Sequence, residues 1–332
     1  MSSKRIAVVA LIASCMAIML SVGTILSQTR RGRPMLEVTA TPLNGPILSQ
    51  TRRERPMLEV TATPFKGPTT HCHWKTMTYS WLLPSTPSMC IRDSTDVLSA
   101  VIHQAGRWPD CDDLLAILDT TSEGMFVDVG ANIGSCTTFV AGHKVQTHAF
   151  EPQPDNLMYL RATLENNAEL SSWVTLHAVG LGDHAHSSVI YRQEGNAGNS
   201  VVGLVHPDDP ANLQDRQAME KNKAGISVRL LDEELWPNAQ DPAPKISLMK
   251  MDVQGYEVKV LKGASRLFSA RSIQAIKTEL APAFLMTQGT TPADMCALLK
   301  NAGFELFAKF RGPPMSVQEC GAHNGELYAF LV

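Results

Sequence analysis

Residues 126–134 read FVDVGANIG, and residues 135–141 continue as SCTTFVA. An apolar run closes on Asp128, small residues follow at Gly130 and Gly134, and a run of small and apolar residues resumes. This is how a buried strand hands over to a helix in an α/β sheet, where ligands sit beyond the carboxyl ends of the strands. Glycine at such a junction permits a tight turn and lets a ligand approach the backbone.

Spacing narrows the ligand. Counting from Gly130, the dinucleotide pattern G-x-G-x-x-G requires glycines where this chain has Asn132 and Ser135, and no phosphate-binding G-K-[ST] follows. What remains is D-x-G-x-N-x-G, an acid at a strand end with no compensating lysine. That combination suits a cofactor with a positive head and no phosphate, and the sulfonium and ammonium of S-adenosylmethionine fit it. A second acid, Glu151 in HAFEPQPDN, stands 21 positions after Gly130, where a carboxylate accepts hydrogen bonds from ribose hydroxyls. Capping of the following helix is its other reading, a task for which Asp155 is better placed. Asp183 in VGLGD follows the next strand and is a candidate for the adenine end, although Gly-Asp is also an ordinary turn pair.

Outward from this loop, strands are expected at 125–129, 147–150, 174–179, 246–253 and 273–280. Helices are expected at 135–141, 155–167, 256–268 and 292–302. A polar region near 187–225 interrupts the rhythm, and FELFAKF and ELYAFLV close the chain with no helix foreseen between them. Such alternation implies a mainly parallel sheet with helices on both faces and a C-terminal antiparallel strand pair.

Several pieces fall in one order: FVDVGANIG (126–134), AFEPQPDN (149–156), VGLGD (179–183), VRLLDEEL (228–235), LMKMDVQGYEVKVLKGA (248–264) and IKTEL (276–280). Together they resemble the FkbM-like methyltransferases over roughly residues 96–332. The resemblance implies a Rossmann-like class I methyltransferase fold, S-adenosylmethionine as cofactor, and methyl transfer to oxygen, often a hydroxyl of a sugar or natural product. It implies Asp128, Gly130, Asn132 and Gly134 as the cofactor loop, Glu151 on the ribose and Asp183 near adenine. Gln254 stands where many members have glutamate.

The acceptor side is read from the later strand ends. Asp252 closes ISLMKMD and faces the same cleft, where it can orient the acceptor hydroxyl, take its proton or bind a metal; capping the next helix is the alternative. An ion pair between Asp252 and Lys250, two residues away on one strand face, is not expected because it would need desolvating. Glu279, closing KTEL, is the second catalytic candidate. No unmistakable base is needed. Alignment of donor and acceptor supplies about 7–11 kcal/mol, against roughly 3–5 kcal/mol for a general base. His184 and His186 read as solvated, and Cys136, near a helix start, as packing rather than nucleophile.

The remaining features bound the setting. With 29 basic and 32 acidic residues and a net charge of −3, the chain lacks the positive excess that nucleic acid demands. Lys4 and Arg5 precede an uncharged run over 6–26, which reaches roughly 31 Å as a helix and is expected to anchor the chain in a membrane; a cleaved signal is the alternative. A lumenal catalytic domain is the expected orientation. Residues 25–46 are repeated almost unchanged at 47–68, too few copies for a solenoid. The organisation expected is therefore an anchor or uncleaved signal over 1–27, a duplicated stalk over 28–93 and the methyltransferase domain over 94–332. HCHW (71–74) is read as stalk rather than metal tract. Cys72, Cys90, Cys111, Cys136, Cys296 and Cys320 permit disulfides without demanding them. Two other functions share this pattern: an NAD-dependent oxidoreductase, weakened by the missing glycines, and a non-catalytic membrane-tethered binding protein. The partner expected is a small-molecule or glycan methyl acceptor.

Overall fold

The computed structural model describes residues 72–79, 82–193, 196–203 and 223–332. The apolar run 6–26 and the duplicated segment 25–68 lie outside them. Among the described residues no helix is long and apolar enough to cross a membrane.

The chain enters through an antiparallel hairpin, β1 (His73–Thr76) and β2 (Ser88–Ile91), then α1 (Val97–Ala105), a 3-10 turn (Pro109–Cys111) and α2 (Leu114–Leu118). The expected alternation follows. It runs β3 (Met125–Val129), α3 (Ser135–Ala141), β4 (Thr147–Phe150), α4 (Pro154–Asn166), α5 (Ala168–Ser171) and β5 (Val174–His177). After an excursion through β6 (Gly180–Leu181), β7 (His186–Gln193), β8 (Asn196–Val202) and β9 (Lys223–Arg229), the chain forms α6 (Leu231–Leu235) and returns to the sheet as β10 (Ile246–Met251). Then come α7 (Glu257–Lys262), α8 (Ser265–Ser269), β11 (Ile273–Leu280), α9 (Pro282–Thr287) and α10 (Pro292–Asn301), followed by β12 (Phe304–Phe307), β13 (Pro314–Met315), α11 (Val317–Gly321) and β14 (Gly325–Leu331).

The main sheet has the order β13-β12-β14-β11-β10-β3-β4-β5. The run from β11 to β5 is parallel, and β14 and β12 are antiparallel, as the sequence pattern implies. All six residues of β10 are buried, which requires cover on both faces. Successive side chains point to opposite faces. Val127, Met249 and Ile276 therefore pack with Val258, Leu261 and Leu299 of the helices on one side, and Phe126 and Leu248 pack with Leu114, Ile117 and Phe139 on the other. On that second face the apolar rows give way at the strand tips to Asp128, Lys250 and Lys277, which lie in register across β3, β10 and β11.

Five expectations are corrected. Residues 69–93 were expected to belong to the stalk, yet Met89, Cys90 and Ile91 are buried, and the Cys90 N–H donates to Thr163 Oγ1 on α4 at 3.0 Å. Pro84 and Pro87 lie in the hairpin connection and leave its short strands free to pair. The polar region at 187–225 contributes to a second sheet, ordered β6-β9-β7-β8. One of its faces buries Ile190, Val202, Ile226 and Val228 against Tyr256, so half its residues read as polar. The helix expected over 256–268 is interrupted after Lys262, because Gly263 rests against the chain at Gly182: a Cβ there would stand 2.0 Å from the Gly182 carbonyl oxygen. The short helix α11 and strand β13 intervene between the two closing strands. The cysteines pair as Cys72–Cys90, Cys111–Cys136 and Cys296–Cys320, so Cys136 ties the start of α3 to the 3-10 turn rather than merely packing.

The loop after β3 takes a left-handed backbone at alternate positions: Gly130 (φ 78°), Asn132 (φ 54°) and Gly134 (φ 90°). This explains the spacing G-x-N-x-G, since glycine and asparagine adopt that region most readily. The N–H groups of Gly130 and Ala131 both donate to the Phe150 carbonyl at 3.0 Å, holding the loop against the end of β4. A Cβ on Gly130 would lie 2.0 Å from the backbone oxygen of Asp252. Gly130→Ala is therefore expected to destabilise the domain by about 1–3 kcal/mol, read as a lower urea midpoint; an unchanged midpoint would contradict the close approach.

Candidate active site

That close approach places the loop and the end of β10 around one cleft of about 420 Å³, part of it open to solvent. Gly130, Asn132 and Glu151 line one side and Asp252, Val253 and Gln254 the other, with Ile190 and Val202 of the second sheet beside them. The described residues that line it include two carboxylates and no basic side chain.

Glu151 is 4% exposed. Its Oε2 accepts from the Asn132 N–H at 2.8 Å, and its Oε1 from the Gln153 N–H at 2.8 Å and Asn156 Nδ2 at 3.3 Å. Burial pushes the carboxyl up to about 7, against the pull of these donors. Oε2 has one protein donor, so a lone pair remains for a hydroxyl in the cleft. Gln153 caps α4, accepting from the Asp155 N–H at 2.7 Å. Asp155 instead pairs with Arg192 of β7 at 2.7 Å.

Asp252 has a side chain 40% exposed. Gln254 Nε2 donates to its Oδ1 at 2.6 Å, and Lys250 Nζ lies 3.9 Å from its Oδ2. The turn that follows is left-handed at Gln254 (φ 52°) and Gly255 (φ 97°), and a Cβ on Gly255 would stand 2.3 Å from the Phe284 carbonyl oxygen. Glu257 closes it by accepting from the N–H groups of Val253 and Gly255, each at 3.2 Å; burial raises its carboxyl to about 7.

Asp128 is fully buried and lies outside the lining of the cleft. Thr137 Oγ1 of α3 donates to its Oδ2 at 2.7 Å, and Lys250 Nζ stands 3.7 Å from its Oδ1. Burial raises the Asp128 carboxyl, with Lys250 and Thr137 opposing. Burial works to lower the Lys250 ammonium, but Asp128, Asp252 and Asp110 outweigh it and hold the group above its ordinary range. The expectation that Lys250 and Asp252 form no ion pair is thereby corrected. One ammonium is shared by two carboxylates, and the exposure of Asp252 limits the desolvation that made the pair look unfavourable.

A second charged group adjoins the first. Lys277 lies beside Lys250 in register, with its Nζ 3.0 Å from Asp110, 2.9 Å from Asp113 and 3.4 Å from Glu326. Tyr328 donates to Asp113 at 2.7 Å. Glu279 stands opposite Glu326 on the antiparallel pair β11–β14. Burial, with Asp252 and Asp110 adding, raises Glu279 to about 7; burial, with Asp110 adding, raises Glu326 to about 8.

Of the residues singled out in the sequence, Gly130, Asn132, Glu151 and Asp252 meet at the cleft. Asp128 lies beneath the loop, Gly134 turns it into α3, and Glu279 belongs to the adjoining acid cluster. Asp183 stands apart, hydrogen-bonded to the exposed His184 at 2.8 Å; burial pushes its carboxyl up, and the histidine more than compensates. Sequence reasoning missed Lys277, Asp110, Asp113 and Glu326, and set Lys250 aside. The matching Lys-x-acid endings of two neighbouring strands, Lys250-x-Asp252 and Lys277-x-Glu279, carry the signal. Among the described residues no three His, Cys, Asp or Glu side chains are grouped to hold a metal ion.

The donor set fits the expected cofactor: acceptors for hydroxyl and ammonium hydrogens, a glycine loop without bulk, and, among the described lining residues, no cation to bind phosphate. A family model described as the methyltransferase FkbM domain matches residues 128–306. Methyltransferase 1 of Beauveria bassiana (strain ARSEF 2860) is 28% identical over 153 residues, which are 42% of this chain and 58% of that protein. The chain thus spans under two thirds of that relative's length. Among solved structures, a methyltransferase FkbM from Methylobacillus flagellatus KT aligns with a TM-score of 0.38 at 19% identity, covering 63% of this chain and 44% of that one. Magnesium protoporphyrin IX methyltransferase from Synechocystis PCC 6803, with bound SAM, aligns with a TM-score of 0.35 at 12% identity, covering 67% and 78%. The family match takes in more than half of the chain, which belongs to the methyltransferase FkbM domain family, whose cofactor is S-adenosylmethionine.

Proposed function

We propose that this chain moves a methyl group from S-adenosylmethionine to a hydroxyl oxygen of a sugar, glycan or other small molecule. The observation that carries the reading is the single cleft in which the Gly130 loop and Glu151 face Asp252. S-adenosylmethionine, when bound, supplies a methyl group already activated on a positive sulfur. The protein's task is then mainly alignment.

In this reading Glu151 Oε2 accepts a ribose hydroxyl, and the open backbone at Gly130 and Asn132 admits the cofactor. Asp128 acts from below as a positioning residue, through Thr137 on α3 and Lys250 on β10. Asp252 takes the proton of the acceptor hydroxyl as its oxygen gains the methyl carbon, and the half-exposed carboxyl then returns that proton to water. Glu279, on the next strand and electrostatically coupled to Asp252, is the second candidate to hold it. Asp183, outside the cleft, has no part in this scheme.

Three disulfides support an oxidising compartment, and with the apolar run 6–26 they favour a membrane-anchored chain whose catalytic domain is lumenal. In sealed microsomes the domain is expected to resist protease until detergent is added; digestion without detergent would overturn the orientation.

The raised carboxyl of Glu151 makes cofactor binding depend on pH. Below about 7 the group is neutral and must lose its proton to accept a ribose hydroxyl as a carboxylate. Affinity for S-adenosylmethionine is therefore expected to rise about tenfold between pH 6 and pH 8, measured by calorimetry, and Glu151→Gln to weaken binding and flatten the profile. A flat wild-type profile would remove Glu151 from the contact. Asp252→Asn is expected to lower turnover by roughly 10²–10⁴ while cofactor affinity stays within about twofold. Full turnover in labelled methyl transfer would take Asp252 out of the chemistry.

A further inference from the structure

Gln254 combines three features that folding alone does not ask for. Its backbone is left-handed at φ 52°, a conformation that side-chain-bearing residues other than asparagine and aspartate seldom hold. The residue is 8% exposed, yet it lines the cleft. Its Oε1 is buried and has no hydrogen-bond partner among the described residues. Chemistry fixes the orientation of the amide. A carboxylate only accepts, so the nitrogen must face Asp252 Oδ1 at 2.6 Å, and the carbonyl oxygen turns the other way. An unpaired buried carbonyl is destabilising until a ligand or water donates to it.

Asp252 supplies the second half of the arrangement. Its Oδ1 is taken by Gln254, while among the described residues its Oδ2 has the Lys250 ammonium near it, at 3.9 Å. The turn thus holds two acceptors, the charged Oδ2 of Asp252 and the neutral Oε1 of Gln254, and the hydrogen bond between the two side chains fixes their orientation. A glutamate at 254 would instead set two carboxylates against each other, and one would have to hold a proton. Glutamine keeps the shape and makes the pairing of donor and acceptor unambiguous.

We propose that Gln254 determines acceptor specificity: its Oε1 receives a hydrogen bond from a hydroxyl next to the one that Asp252 deprotonates, so the methyl acceptor is a polyol with adjacent hydroxyls. The proposal rests on reading the cleft as the methyl-transfer site. A site built to pair with a hydroxyl rejects an analogue that lacks it, because its own buried oxygen is left without a donor.

The experiment uses the full chain and tritium-labelled S-adenosylmethionine. The acceptors are a panel of methyl pyranosides with adjacent hydroxyls and their matched monodeoxy analogues. Cofactor affinity is measured separately by calorimetry. Wild type is expected to methylate a diol and to transfer to its monodeoxy partner roughly 10- to 100-fold more slowly. Gln254→Leu is expected to lose that ratio while cofactor affinity stays within about twofold. The isosteric Gln254→Glu, which preserves shape should the leucine variant fail to fold, is expected to bind the cofactor and to discriminate less than wild type. Equal rates on both acceptors in wild type, an unchanged ratio in either folded variant, or no transfer to any diol by a protein that binds the cofactor would each overturn the proposal. Failure of wild type to bind S-adenosylmethionine would overturn the underlying reading of the cleft instead.

Discussion

The close passage of Gly130 over the carbonyl of Asp252 is the constraint on which the site depends. Any side chain at residue 130 would meet that oxygen at 2.0 Å, so the loop after β3 and the end of β10 come together only because the residue is glycine. Everything else in the loop serves that contact. Two N–H groups grip the Phe150 carbonyl, a third reaches Glu151, and the left-handed turns at 132 and 134 aim the chain into α3. A wider separation of the two strand ends would leave Glu151 and Asp252 in different pockets, and alignment, the larger part of methyl transfer, would be lost.

Beneath the cleft the sheet carries charge where a parallel sheet ordinarily carries only apolar side chains. Lys250 and Lys277 are neighbours in register, a repulsive pairing that is stable because each faces its own acids: Asp128 and Asp252 on one side, and Asp110, Asp113 and Glu326 on the other. The Cys111–Cys136 disulfide joins the turn that bears Asp110 to the helix that bears Thr137. The partner of Asp128 and a partner of Lys277 are thereby tied to one another, and the floor of the site behaves as one unit rather than as separate ion pairs.

What could be read in the sequence followed periodicity and backbone demand. The buried run of β10, the glycine–asparagine spacing of the loop and the acids closing β4 and β10 are local signals, and each has the structural meaning it suggests. Contacts between distant segments left no such trace. The second sheet is half solvated, so its alternation was lost among polar residues. The hairpin at 73–91 is too short to show a period. Lys250 was judged by the desolvation of one isolated pair, whereas the structure gives it two carboxylates and one of them reaches water. Gln254 was visible as a departure from the family pattern, but its meaning required the direction of its amide, which only the turn after β10 supplies.

The raised carboxyls link stability to the function of the cleft. Glu151, Glu257 and Glu279 are all pushed from the ordinary glutamate range to about 7, chiefly by burial. Their folded-state values lie above the unfolded ones, so between roughly pH 4.5 and 7 the folded chain holds protons that the unfolded chain has released. Their contribution to stability is therefore greatest at the acid end of that window and falls as pH rises through it. At neutral pH and above, the fold carries carboxylates that it does not fully solvate. Such groups are poor choices for stability and good ones for binding, because a bound ligand that presents hydroxyl hydrogens or positive charge supplies what the protein withholds. Glu257 takes two N–H donors on one oxygen within its own turn and lies outside the lining of the cleft, whereas Glu151, held by three donors, lines it. The difference between these two equally raised glutamates separates a carboxyl enclosed by its own turn from one that faces the cleft.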